Sequence, residues 1–307
     1  MKTQEKIRNL LLLGVTLLLT GMLSAACSVS ESDLGSDELS DADLEAIGQV
    51  IGESVSGEND GLMASIYDAT AEFTETGMDY TASSKYSDST PDLQDDSGRG
   101  SEKNWSYSYD PETGTHTIEF SRSVFRGEYS KGVDAKYEYI FKDLNGAFIA
   151  RPKAERERIE TLDFFGDRSG SIEAPNRSSA FSRTDTLYLV GISDSTEILG
   201  INGNHHGEGS HDGVRDNGDE VSGNYVLDAQ FTDIEIDKAL VTENGSLEEG
   251  VFGTITYQLE WEKVVNDNVV TKTVSGSLEM NGDGTALLRF NKFERVFLIH
   301  LREGDIE

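Results

Sequence analysis

The sequence predicts a mainly β protein: an antiparallel meander forming a sandwich, a barrel or a curved half-barrel sheet, with a short N-terminal helical hairpin. Two observations carry the β prediction. From Asn104 onward apolar residues recur with period 2, the spacing of a strand with one packed and one wet face. Asn-Gly and Asp/Gly-rich turns then punctuate the pattern where consecutive antiparallel strands would meet. A third observation carries the hairpin: over residues 40–81 the apolar period is 3.6.

In chain order, Ser40-Asp41-Ala42-Asp43 reads as a helix start with Ser40 as N-cap, and Leu44, Ile47, Val50, Ile51 and Val55 follow at helical spacing. Gly57-Glu58-Asn59-Asp60-Gly61 breaks the pattern, and a second helix is expected from Leu62, with Met63, Ile66, Tyr67 and Phe73 on its apolar side. That stripe must dock on something. The protein's own sheet is expected rather than a membrane surface, because the polar face offers acids in place of Lys and Arg. Residues 82–103, rich in Ser, Asp and Gly, read as a linker.

The β domain is expected over 104–307. Trp105, Tyr107 and Tyr109 alternate up to the turn Asp110–Gly114, and Ile118 and Phe120 return. Val133 to Phe141 continue the alternation towards Asn145-Gly146. Ile234, Ile236 and Leu240 lead to Asn244-Gly245, and Val251 to Trp261 lead to Asn266-Asp267-Asn268. Val270 to Met280 lead to Asn281–Gly284, and the runs Ala286–Phe290 and Phe293–Leu301 close the meander. Roughly ten to twelve strands in about 200 residues suit one domain. An outer-membrane barrel is disfavoured, since acids spread evenly along these strands call for water outside.

Charge and cysteine count exclude two classes. The 307 residues carry 57 Asp+Glu against 26 Lys+Arg, a net charge of -31, so binding to a polyphosphate is disfavoured, and the single cysteine cannot form an internal disulfide. Residues 27–100 alone hold 18 acids and two bases, and such an apolar-poor segment reads largely as tether, 27–39 in particular.

The cysteine belongs to the first 27 residues. Lys2, Lys6 and Arg8 form a positive head, Leu10–Leu19 an apolar run, and Ser24, Ala25 and Ala26 precede Cys27, the three-part plan of a secretory signal over 1–26. Here the chain resembles bacterial lipoproteins, whose signal ends in small residues before a cysteine that becomes the acylated N-terminus. Ser24 stands where that family prefers Leu, and Leu23 lies one place further back. The resemblance implies acylation of Cys27, and with several acyl chains an anchor that lasts. Ser28 in place of Asp implies the outer membrane, and Ser30-Glu31-Ser32-Asp33 resembles an acidic surface-export tag.

Candidate chemistry is sparse. Three of the five histidines, His205, His206 and His211, fall together beside Asp212 in a Gly-rich segment expected to be a loop between strands. One reading is a metal site, either a transition metal on these four residues or Ca²⁺ on Asp212, Asp216, Asn217, Asp219 and Glu220; the other is a solvated loop. Neither spacing fits a specific motif. His116 and His300, in phase with apolar neighbours, read as hydrogen-bonded edge or core residues. The basic stretch Arg151–Arg158, interleaved with Glu155 and Glu157, reads as a neutralised surface segment or a partner for the acidic N-terminal quarter.

No G-x-S-x-G elbow, Walker loop or dinucleotide fingerprint is present, so no enzyme and no cofactor are expected. The expected function is that of a lipid-anchored envelope protein with a non-enzymatic binding role, for an apolar or glycan-like ligand. Trp105, Tyr107, Tyr109, Tyr257 and Trp261 are candidate surfaces for it, each also a candidate for the core. The alternatives are a structural or assembly lipoprotein contacting another envelope protein, and metal binding through the 205–211 segment.

Overall fold

The computed structural model describes residues 39–70, 73–74, 77–78 and 100–307, apart from 176, 194–195, 215–219 and 266–267. The expected signal segment 1–26, Cys27, the expected tether up to residue 38 and residues 82–99 of the expected linker lie outside the described residues. The chain divides into Met1–Ser40 and a compact unit, Asp41–Glu307, that contains every element below.

Two helices open this unit, α1 (Asp41–Val55) and α2 (Leu62–Thr70). The helical period held to Thr70; Phe73, expected on α2, belongs instead to β1 (Phe73–Thr74), which pairs with β2 (Gly77–Met78). The sheet then runs without interruption of order: β3 (Gly100–Asp110), β4 (Thr115–Arg126), β5 (Tyr129–Lys142), β6 (Thr161–Ala174), β7 (Arg177–Val190), β8 (Ile198–Val214), β9 (Glu220–Asp237), β10 (Val251–Val265), β11 (Asn268–Asn281), β12 (Thr285–Phe290) and β13 (Val296–His300). All eleven are antiparallel to their sequence neighbours in one sheet that is not closed, so the expected meander is present as a single open sheet, neither sandwich nor barrel. β3 begins at Gly100, four residues inside the expected linker.

One segment read as strand is helical. Leu240 lies in α3 (Lys238–Asn244), where the Asp237 carboxylate accepts from Ala239 N and Leu240 N and Gly245 ends the helix in the left-handed region at φ 71°. The Asn-Gly pair therefore serves as a helix stop rather than a hairpin turn, the same backbone conformation used for a different purpose.

The sheet is rolled around the helices. Glu58, in the turn between α1 and α2, donates its amide to Arg302 O just after β13, while its carbonyl accepts from Lys131 Nζ on β5. One residue thus bonds to the β13 end of the meander and to β5, the third strand from the other edge. Its inner face is the core, where Phe141, Leu162, Leu189, Ile201, Leu259 and Leu288 are fully buried together with Leu44, Ile47, Ile51, Leu62, Met63 and Ile66 of the hairpin.

Glycines make this layer thin enough. Gly170 faces Phe181, Gly209 faces Tyr225 and Gly276 faces Tyr257 on adjacent strands. A Cβ on Gly170 would lie 2.6 Å from the Phe181 ring, and one on Gly276 would lie 1.8 Å from Arg289 O. Each aromatic ring lies across its neighbour's bare backbone, which stabilises the pair and keeps the ring low against the sheet. Tyr257 and Trp261 are accordingly core residues, 4% and 2% exposed, whereas Trp105 on the edge strand is 57% exposed.

Candidate functional site

The inner face is not wholly apolar. Arg122, Lys131, Arg168 and Arg183 occupy inward positions of β4, β5, β6 and β7, in phase with Phe120, Val133, Phe164 and Phe181, and all four are buried. They meet the hairpin. Asp60, in the α1–α2 turn, lies 2.6 Å from both Arg122 Nη2 and Lys131 Nζ and 3.8 Å from Arg168 Nη1. Asp68 of α2 accepts from Arg168 Nη2 at 2.7 Å and from the Tyr137 hydroxyl at 2.7 Å. Ser65 of α2 donates to Asp185 Oδ2 at 2.5 Å, and Asp185 Oδ1 is 2.7 Å from His205 Nδ1. Arg183 reaches the hairpin by donating to Asn59 O and Glu53 O.

Burial raises the cost of charging every member, and the partners decide the outcome. At Asp60 burial pushes the carboxyl up, but Arg122, Lys131 and Arg168 together hold it far below the usual carboxylate range. At Asp68 burial wins over Arg168 and Tyr137, and the carboxyl is pushed up. Burial pushes the Lys131 ammonium down in spite of Asp60. Asp185 is held low by His205 and Ser65 against its own burial. In the ion pairs the hairpin thus contributes the carboxylates Asp60 and Asp68 and the sheet the cations, while Asp185 is a carboxylate of the sheet itself.

The seam does not make the hairpin a lid. Leu44, Ile47, Val50, Ile51, Val55, Leu62, Met63 and Ile66 are at most 4% exposed. At ~1.5–3 kcal/mol each, their burial is worth about 12–24 kcal/mol as an upper bound. A typical domain is stable by only ~5–15 kcal/mol, so lifting the hairpin amounts to unfolding. The ion pairs tie the hairpin to β4, β5 and β6.

Ser65, Asp185 and His205 resemble a hydrolytic triad in composition but not in order. The serine hydroxyl donates to the carboxylate, not to the imidazole, and so lacks a base.

The histidine segment is corrected. Residues 198–214 form β8, not a loop, so its side chains alternate between the two faces. His205 faces inward and is 1% exposed; His206 faces outward, 2.7 Å from Asp228; Asp212 is exposed on the outer side. His211 shares the inner face with His205 but lies six residues along, roughly 20 Å at strand rise. The four residues do not converge, and no group of three His, Cys, Asp or Glu among the described residues could hold a metal. In the Ca²⁺ reading, Asp216, Asn217 and Asp219 lie outside the described residues.

His116 is fully buried, donating from Nε2 to Ile149 O and accepting at Nδ1 from the Tyr107 hydroxyl. His300 lies 3.2 Å from Glu307. Arg158 pairs with Asp143 and Glu155 in an exposed turn, so the stretch 151–158 is surface, and the cations that meet the acidic hairpin lie elsewhere.

The outer face carries an open groove of about 540 Å³ across β3–β6. Two cross-strand ladders border it: Ser106–Glu119–Lys136–Asp167 and Asn104–Ser121–Asp134–Ser169. All eight residues are exposed, and the row between them carries Trp105 together with Phe120 and Ala135, which are buried on the inner side. Ser121 donates to Asp134 at 2.5 Å, and Lys136 is 2.7 Å from Glu138. Among protein-family models, characterised proteins and solved structures, none matches this chain.

Proposed function

We propose that this is a lipid-anchored envelope protein, held through acylated Cys27, that binds a polar, glycan-like ligand without chemistry in the groove of β3–β6. The groove supports this reading most. Its volume of about 540 Å³ falls within the usual range for small-molecule sites, ~300–1,000 Å³. Its border alternates groups that only accept (Glu119, Asp134, Asp167), groups that only donate (Lys136) and groups that do both (Asn104, Ser106, Ser121, Ser169). Sugar hydroxyls donate and accept at each carbon, and such a border meets both needs. The inner face, by contrast, is committed to the hairpin, which favours the polar half of the expected ligand range.

The reading is tested by calorimetric titration of the mature protein with soluble polysaccharides and their oligomers, alongside an Asp134→Ala variant. Saturable binding that weakens at least tenfold in the variant is expected. Equal affinity in the variant, or no heat from any member of the panel, would contradict it. Palmitate labelling that disappears in Cys27→Ala tests the anchor separately.

A further inference from the structure

Arg183 is 3% exposed, and its guanidinium is incompletely satisfied. Its Nη atoms donate to Asn59 O and Glu53 O, and its carbon packs 4.4 Å from the centre of the Phe181 ring, but Nε–H has no acceptor. His211 Nδ1, buried on the next strand, also lacks a partner. Both side chains line the same small cavity, closed by Phe181 and Tyr225 at the sheet and by Val50 of α1 above. The position opposite Phe181 on β8 is Gly209, and the Tyr225 ring of the cavity wall lies over its bare backbone. Its volume is about 10 Å³, at the threshold that admits one water molecule.

We propose that one water molecule is a fixed component of the fold here, accepting from Arg183 Nε–H and bonding to His211 Nδ1. Three features select water over other small ligands. The buried guanidinium repels a metal ion. Glu53, also in the wall, opposes an anion, and the space suits one water-sized sphere. Only a group that accepts and donates can serve Arg183 and still bond an imidazole nitrogen in either tautomer. The histidine that the sequence offers as a metal ligand thus joins, through solvent, the Arg183 side chain of the adjacent strand, which in turn donates to the hairpin.

The test is a high-resolution crystal structure of the mature protein with and without a bromide soak. One density peak within hydrogen-bonding distance of both nitrogens, without anomalous signal after the soak, is expected. A bromide peak at that position, or an empty cavity, would overturn the proposal. In solution, nuclear Overhauser contacts between the His211 ring and a long-lived buried water should be present; a ring that sees only fast-exchanging solvent would overturn it equally.

Discussion

Replacing Asp60 by Asn removes one charge and little else. Asp60 sits in the left-handed region at φ 56°, which Asn adopts as readily, so the backbone of the turn is unaffected. The side chain keeps its shape, and what is lost is the countercharge to Arg122 and Lys131 at 2.6 Å and to Arg168 at 3.8 Å, all buried. Removing one partner of a buried ion pair leaves an uncompensated charge and costs ~3–5 kcal/mol. Three cations share this carboxylate, so the upper half of that range is expected. With a urea m-value of about 2–3 kcal/mol/M, the unfolding midpoint of Asp60→Asn should fall by about 1.3–2.5 M with m unchanged. The variant should also lose part of the acid sensitivity. In the wild type the folded Asp60 stays ionised while the unfolded one takes up a proton near pH 3.9, so its contribution is present above that pH and is lost progressively as pH falls below it. A loss under about 1 kcal/mol, or an unchanged acid limb, would refute the claim that the carboxylate holds the seam.

Arg168→Met should cost a similar ~3–5 kcal/mol by leaving Asp68 buried without its cation. The double variant with Asp60→Asn should lose less than the sum in urea unfolding, because both act on one network; strict additivity would place the two carboxylates in separate environments. Gly276→Ala should destabilise by about 1–3 kcal/mol, since its Cβ would press on Arg289 O at 1.8 Å. Gly132→Ala, with nothing within 4 Å of the added carbon, should change the thermal midpoint little; equal losses at both sites would mean that close approach does not explain the glycines.

The legible strands are those whose inward positions are apolar throughout. In β5, Val133, Ala135, Tyr137, Tyr139 and Phe141 declare the alternation directly. In β6 the inward series is Leu162, Phe164, Gly166, Arg168, Gly170 and Ile172, and in β8 it includes His205, Gly207, Gly209 and His211. Gly170 and Gly209 are covered by a neighbouring strand's ring, Arg168 is answered by the hairpin and His205 by Asp185 of β7, so each series makes sense only beside its partners. That is why a strand with histidines read as a loop. The seam did leave a trace in the sequence: Arg122, Lys131, Arg168 and Arg183 each stand at an apolar phase, as Asp60 stands between two helices with no exposed role. Charges in a core phase call for countercharges, and the acidic N-terminal quarter was the place to find them. The groove left no trace, because its ladders are ordinary outward residues until register aligns them.

The central claim is that the hairpin is core, seated by charge on a rolled sheet, and not a cover over an inner site. Native-state hydrogen exchange on the protein tests it directly. The amides of α1 and α2 should open only with the global unfolding of the sheet, and in Asp60→Asn both should lose protection together by the same amount. Exchange of the hairpin amides through a separate, lower-energy opening while the sheet stays protected would contradict it.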